Sequence, residues 1–236
     1  QADDLFTYLS YANDSRMYTR PLTLGCAGYN NKQTTYTSYG MPYGLLQHDM
    51  VERFLVHCFG MSAHTYTRGT WTTPEAAHPD RDVGSTDYVA AGVHTAPTCL
   101  KWLLLYEEPN SQTVWVGKAV PRGWLTAGSA PVEVIGTTTR YGRVSFSYTA
   151  ASTPTNGAYS VRVNVSLPLS FINGPAGGVR VRIRTPQEYA GKLSKVLVGG
   201  REWTAFDANA ETVDFSLQNL DRPTITEMQR IVAVYT

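Results

Sequence analysis

No charge of either sign dominates this sequence, because 20 Lys and Arg stand against 19 Asp and Glu in 236 residues, a net charge of +1. Nucleic acids and membrane surfaces are usually bound through a basic stripe, and none is present. The sequence also lacks an unbroken run of about 18 apolar residues, which a membrane-spanning helix would need. Composition therefore argues against nucleic-acid and membrane partners.

Cysteine is scarce as well. Cys26, Cys58 and Cys99 are the three in the chain, and no CxxC spacing occurs among them. Structural zinc sites and dense disulfide frameworks need more cysteines or closer spacing, so neither is expected. One disulfide together with one free thiol stays open.

Motifs of metal, phosphate and nucleophile chemistry are also missing. His64 and His78 could join Asp80 or Asp82 at a metal, but their spacing matches no metal signature. No glycine-rich phosphate loop and no motif for a serine nucleophile occurs. We therefore expect no metal and no cofactor.

What the sequence does have is a sharp division near residue 110. All five His and all three Cys precede it, with 11 acidic against 7 basic residues, a net of −4, whereas residues 111–236 carry 13 basic against 8 acidic, a net of +5. The hydrophobic period changes at the same place from 3.6 residues to 2. We predict an α+β chain of two domains, a helical segment at 1–110 and an antiparallel β-sandwich at 111–236.

The main helix of the first half is predicted from one apolar stripe at helical spacing. The stripe runs through Leu46, Met50, Phe54, Cys58 and Met61. Charged residues fall on the opposite side of this helix. A second helix is predicted from Thr95 to Tyr106, and a short one from Asp3 to Ala12.

The second half reads as about eight short strands separated by Gly, Pro and Asn turns. Two strands alternate cleanly, at 160–167 and 179–184, so one face of each should be buried and the other solvated. Gly199-Gly200 is placed for a tight hairpin. In the second of these strands the outward residues are Arg180, Arg182 and Arg184, which could hold an acidic glycan, form a solvated face, or dock against the acidic first half.

A loop after the main helix gathers groups that bind sugars or move protons. They follow one another within twelve residues: His64, Tyr66, Arg68, Trp71 and Glu75. Glycosidic bonds are cleaved by a pair of carboxyl groups, one of them protonated. Glu75 is the first candidate for the acid, and the alternative is an ordinary surface ion pair with Arg68. We expect Trp71 to form a stacking platform and the other three residues to contact the sugar.

Asp49 is the second candidate carboxylate for catalysis. Arg53 follows it by four residues, so an ion pair on one face of the predicted helix is the alternative account of Asp49.

Two passages carry a resemblance to a known family. The first combines Val120-Pro121-Arg122, Trp124-Leu125 and Tyr141-Gly142, and the second is the hairpin Val198-Gly199-Gly200-Arg201-Glu202-Trp203. Together with the Arg68 to Glu75 loop, they resemble the C-terminal part of carbohydrate-active enzymes of the six-hairpin glycosidase kind. In those enzymes an (α/α)6 toroid precedes a small β-sandwich.

The resemblance implies that residues 1–110 are helical hairpins of an incomplete (α/α)6 toroid, whose remaining helices come from a missing segment or a second chain. The stripe of Leu46, Met50 and Phe54 should then be exposed in this chain. The implied function is part of a secreted or periplasmic glycoside hydrolase acting on an oligo- or polysaccharide. A non-catalytic carbohydrate-binding or structural module is the alternative.

Overall fold

A computed structural model describes residues 33–34, 40–65, 73, 76–77, 89–151 and 157–236. The chain divides into two compact units between Trp102 and Leu103. Within the described ranges, no helix has the length and apolarity needed to cross a membrane.

The described part of the first unit is mainly helical. Its helices are α1 (Gly40–Gln47), α2 (Val51–Thr65), α3 (Ala90–Val93) and α4 (Thr95–Leu104), and the last two residues of α4 belong to the second unit. Two short strands, β1 (Gln33–Thr34) and β2 (Ala76–Ala77), pair in antiparallel fashion.

The predicted main helix is interrupted, and α1 and α2 are separate helices. Asp49 adopts a left-handed conformation with φ of 57°. The Met50 N–H donates to the Leu45 carbonyl at 2.8 Å, and the Asp49 N–H donates to the Leu46 carbonyl at 3.2 Å. This hydrogen-bond pair is the Schellman motif that ends many helices. Asp49 therefore lies outside both helices, so the helical setting predicted for its ion pair with Arg53 is wrong, and the ion pair itself stays a prediction.

The apolar stripe is not exposed as expected. Leu46 and Phe54 are fully buried, and Met50 is half-buried. The exposed apolar residues of α2 are Val56 and Phe59, each about half exposed. The stripe thus continues across the break, which is why hydrophobic spacing did not reveal the interruption.

The second unit is built from strands, with one short helix, α5 (Arg222–Glu227), near its end. The strands are β3 (Leu105–Glu108), β4 (Thr113–Val116), β5 (Val132–Thr139), β6 (Gly142–Ala150), β7 (Tyr159–Ser166), β8 (Val179–Arg182), β9 (Leu193–Val198), β10 (Arg201–Glu202), β11 (Phe206–Asp207), β12 (Thr212–Phe215) and β13 (Ile231–Tyr235).

These strands form two sheets. The six-stranded sheet has the order β10-β9-β13-β7-β6-β5, and the five-stranded sheet has the order β11-β12-β8-β4-β3. The pairing is antiparallel except between β4 and β8, which run parallel. The predicted fold class is therefore wrong: the described chain is mainly β, with a few short helices, and does not consist of toroid hairpins followed by a β-sandwich.

The helix predicted from Thr95 to Tyr106 is shorter than the local hydrophobic pattern indicates. The helix stops at Leu104, and Glu107 and Glu108 lie in β3, which pairs with β4. The Glu108 carboxylate caps the turn between these strands by accepting hydrogen bonds from the N–H groups of Asn110 and Ser111. These hydrogen bonds lower the pKa of Glu108 despite partial burial, which alone would raise it. Pairing with a neighbouring strand thus overrides helical spacing here.

The predicted alternation is confirmed in β7, where Val161, Val163 and Val165 are buried and the residues between them are not. The same prediction is wrong for the arginine face of β8 and of residues 183–184, which follow the strand. Arg182 and Arg184 are buried along with Val179, Val181 and Ile183. This strand lies in the middle of its sheet and is covered on both faces.

A buried tyrosine joins the two sheets. The Tyr148 hydroxyl on β6 lies 3.1 Å from the Val116 carbonyl oxygen of β4 and 3.0 Å from the Arg182 carbonyl oxygen of β8. Gly117, at φ of 70°, makes room for it, because a Cβ there would lie 2.2 Å from the hydroxyl oxygen. Burial raises the pKa of Tyr148, so the phenol stays protonated and can donate.

We predict that Tyr148→Phe lowers the free energy of unfolding by about 1–2 kcal/mol, since two buried carbonyls lose their shared donor. Urea denaturation followed by circular dichroism measures the change. The matched control is Tyr189→Phe, because Tyr189 is half-buried and stacks on Tyr159 through its ring. Equal effects of the two substitutions would contradict the bridging role.

Candidate functional site

The loop favoured by the sequence lies almost wholly outside the described residues. Four of its predicted site residues are outside them: Tyr66, Arg68, Trp71 and Glu75. His64 lies in the last turn of α2, and its side chain is not described. Of the same loop the structure describes β2 and Thr73, a buried residue whose carbonyl accepts a hydrogen bond from the Val89 N–H at 2.9 Å. The predicted convergence of these side chains on one pocket stays a prediction.

Asp49 is exposed in the left-handed turn between α1 and α2. That turn ends α1, so the conformation of Asp49 has a structural role. A catalytic role for Asp49 stays a prediction.

No metal-ligand cluster is found in the described part of the chain, where no group of three or more His, Cys, Asp or Glu could hold a metal ion. His78, Asp80 and Asp82 lie outside that part.

His57 is a buried titratable group that the sequence analysis did not single out. It lies on α2 at 4% exposure, and its Nε2 has no hydrogen-bond partner. Burial lowers the pKa of His57 from 6.5 to about 4, because the imidazolium would lose its hydration. His57 shares a helix face with Phe54 and Cys58, so it is a neutral packing residue near pH 7.

The passage behind the family resemblance holds the second unit together. Arg122 makes a bidentate ion pair with the buried Glu211, at 2.8 and 2.7 Å, and also donates to the Thr185 carbonyl at 2.8 Å. Leu125 is buried, and its carbonyl accepts a hydrogen bond from the Tyr159 hydroxyl. These matched residues have structural roles in this chain.

The arginines of β8 and its extension are not a solvated stripe. Arg180 pairs with Asp214, the Arg182 Nε donates to the Ala210 carbonyl at 3.0 Å, and the Arg184 guanidinium donates to the Val120 carbonyl at 3.1 Å. The expectation of a solvated face is therefore wrong for Arg182 and Arg184. A docking role toward the acidic first half stays a prediction.

Several cations surround one indole on the same sheet. The Lys118 Nζ lies 3.5 Å from the centre of the Trp115 ring, and the guanidinium carbons of Arg180 and Arg182 lie 4.8 and 5.7 Å from it. Indole faces attract cations at such distances. Trp115 and Lys118 are both buried, so this cluster belongs to the interior and is not an open ligand site.

A candidate site within the described residues is a cleft beside the hairpin of β9 and β10, which we call the hairpin cleft. Its volume is about 310 Å³, and it is lined by Glu202, Trp203, Thr204, Ala205, Gln218, Asn219, Asp221 and Thr224. The hairpin itself confirms the prediction at Gly199-Gly200. Val198 pairs with Arg201, and the two glycines have φ of 61° and 87°, the signs that a type I′ turn requires.

Trp203 is held firmly in this cleft. Its ring stacks on Phe215 with centroids 4.9 Å apart, and its Nε1–H donates to the Asp214 carbonyl at 3.2 Å. Phe215 is buried, whereas Trp203 is half-buried and borders the cleft. The indole is thus a fixed aromatic surface at the cleft wall.

The rest of the cleft lining is mostly polar. Asp221 caps α5 by accepting a hydrogen bond from the Thr224 N–H at 2.8 Å, and its hydrogen bonds to Thr224 lower its pKa. Gln218 and Asn219 precede it and are exposed. The cleft therefore combines one aromatic side chain with amide, hydroxyl and carboxylate groups.

A second groove, which we call the sheet groove, lies on the six-stranded sheet. Its volume is about 340 Å³, and it is lined by Glu133, Val134, Ile135, Ser145, Phe146, Ser147, Asn164, Ser166 and Gln229. Its polar groups are partly engaged with each other, as the Asn164 amide donates to Ser147 at 3.1 Å. The aromatic residue in this lining, Phe146, is buried, so the groove offers little aromatic surface.

Comparisons of the chain with protein-family models, with curated proteins and with solved structures find no match. The resemblance to six-hairpin glycosidases therefore rests on the sequence motifs alone.

We predict that His57 makes stability depend on pH. The unfolded chain binds a proton near pH 6.5 and the folded chain only near pH 4, so the full stability is present above pH 6.5 and falls as the pH falls toward 4. The loss should reach about 3 kcal/mol. Urea denaturation at several pH values, compared with His57→Leu, isolates this contribution, because all other groups are shared. Parallel stability curves for the two proteins would refute it.

Proposed function

We propose that the second unit binds carbohydrate in the hairpin cleft, the non-catalytic carbohydrate-binding function named as the alternative in the sequence analysis. The observation that carries the proposal is the fixed Trp203 indole in a cleft whose other lining residues are mostly polar. Hydrolysis with Glu75 as the acid remains a prediction from sequence, because Glu75 lies outside the described residues.

The chemistry of sugars explains why this combination matters. A pyranose presents C–H groups on its faces and hydroxyl groups around its rim, so a site needs an aromatic plane with hydrogen-bonding groups near the plane of the ring. Trp203 offers the plane. Gln218 and Asn219 offer amides that both donate and accept, and Glu202 and Asp221 offer acceptors for hydroxyl protons.

The rigidity of the cleft supports the same function. Stacking on Phe215 and the hydrogen bond to the Asp214 carbonyl fix the indole before any ligand arrives, which lowers the entropy lost on binding. The ion pair of Arg201 with Glu227 anchors the hairpin to α5, whose N-cap residue is Asp221. Both walls of the cleft therefore belong to ordered elements.

The size of the cleft indicates a short ligand segment. Small-molecule sites in proteins run from about 300 to 1,000 Å³, and the hairpin cleft, at about 310 Å³, is at the lower limit. We expect it to hold one or two sugar rings, either of an oligosaccharide or of a longer chain that passes over the surface. Contacts so few would give weak, micromolar to millimolar binding.

The test is isothermal titration calorimetry with a panel of soluble glucans, xylan, mannan and one acidic polysaccharide. For the polysaccharide that binds, Gln218→Ala and Asn219→Ala should each weaken the affinity about fivefold, because each removes hydrogen bonds worth about 1 kcal/mol. Both residues are exposed, so the fold should be unaffected.

The matched control is Gln229→Ala in the sheet groove, a residue of the same type that is also exposed. It should bind like the unaltered chain. The proposal would be contradicted if no member of the panel binds. It would also be contradicted if Gln229→Ala weakens binding while Gln218→Ala and Asn219→Ala bind like the unaltered chain.

A further inference from the structure

The hairpin cleft and the half of the chain that contains it carry charges of opposite sign. Residues 111–236 have a net charge of +5. The described lining of the cleft, in contrast, includes two acidic residues, Glu202 and Asp221, and no Lys, Arg or His. Both acidic residues are exposed. A ligand in the cleft therefore meets two negative charges and no cation among the described lining residues.

The basic residues next to these two carboxylates do not reverse the local charge. Arg201 precedes Glu202, and its guanidinium forms an ion pair with Glu227. Arg222 follows Asp221 at the start of α5 and is not among the lining residues. Counted together, three acidic residues stand against two basic ones in this neighbourhood. The surroundings of the cleft therefore stay negative.

The carboxylates also determine which hydrogen bonds the cleft offers. Hydrogen bonds to Thr224 lower the pKa of Asp221, so at neutral pH its carboxylate is ionised and can only accept. A sugar hydroxyl can donate to such a group. The carboxylate of a uronic acid has no proton to donate at neutral pH, so it meets both charge repulsion and a mismatch of acceptors.

The arginine face of β8, which the sequence analysis considered for an acidic glycan, is occupied within the protein. Arg180 pairs with Asp214. Arg182 and Arg184 are buried and donate to backbone carbonyls. The positive charge of the second half is thus partly consumed by internal contacts and does not extend to the cleft lining.

We propose that the hairpin cleft selects uncharged glycans and rejects acidic ones, with Glu202 and Asp221 as the residues that determine this specificity. The selectivity rests on the proposed function of the cleft and adds the class of glycan to it. At about 6 Å in a water-like dielectric, one pair of like charges lowers the affinity roughly threefold, so two carboxylates should lower it about tenfold. Repulsion of the wrong ligand is a common source of binding specificity.

The experiment is isothermal titration calorimetry of the full chain with three pairs of probes. Cellohexaose and mannohexaose are each paired with the same oligosaccharide oxidised at C6 to uronic acids, and xylohexaose is paired with a form that carries a glucuronic acid branch. For a pair that binds, the acidic member should bind about tenfold more weakly at low ionic strength. Salt at 1 M should remove most of this difference, because the Debye length then falls to about 3 Å.

A double variant, Glu202→Gln with Asp221→Asn, removes both negative charges. It should keep α5 intact, because Asn caps a helix about as well as Asp. We expect its affinities for the two members of a pair to agree within about twofold. The matched control is Glu133→Gln in the sheet groove, an exposed glutamate whose replacement should leave the difference in place.

Two results would overturn the selectivity and leave the proposed function standing. One is equal affinity of the unaltered chain for both members of a pair, and the other is a difference that persists in the folded double variant. Binding of the acidic members alone would also overturn the selectivity. If none of the six probes binds, the proposed function fails as well.

Discussion

The hydroxyl group of Tyr148 is the contact on which the architecture of the second unit depends. It reaches from the six-stranded sheet to two backbone carbonyls of the five-stranded sheet. Two further tyrosines of the six-stranded sheet also donate to backbone carbonyls, Tyr159 to Leu125 in the connection after β4 and Tyr235 to Ile183, which follows β8. Burial raises the pKa of all three phenols and keeps them as donors. An apolar interior alone would not supply these hydroxyl donors.

The hairpin cleft depends on the same association of sheets. Trp203 follows β10 of the six-stranded sheet, yet its ring stacks on Phe215 of β12 in the five-stranded sheet. Its indole N–H bonds to the Asp214 carbonyl of that strand. The aromatic wall is thus positioned only when the two sheets are packed. The proposed carbohydrate site therefore lies where the two sheets meet, and its side chains should need little movement to bind a sugar.

Sequence patterns predicted the parts that local chemistry determines, such as the inward valines of β7 and the glycine hairpin before Trp203. They failed where contacts between residues far apart in sequence determine the structure. Leu105 and Tyr106 continue a helical pattern but lie in β3, which pairs with β4, and the spacing of Arg182 and Arg184 predicts a solvated face although both are buried. Asp49 ends a helix within an unbroken apolar stripe.

The toroid was inferred from motifs whose residues, such as Arg122, stabilise the second unit. Gln218, Asn219 and Asp221 carry no sequence signal, because only folding brings them to Trp203.

The most direct measurement is a nitrogen–proton correlation spectrum of the chain during titration with an oligosaccharide of the glycan that binds. We predict that the indole Nε1–H signal of Trp203, assigned with Trp203→Phe, shifts progressively and saturates together with the side-chain amide signals of Gln218 and Asn219. The amide signals of Asn164 and Gln229 in the sheet groove should stay in place. Shifts confined to Asn164 and Gln229, with Trp203 unmoved at saturation, would contradict the account.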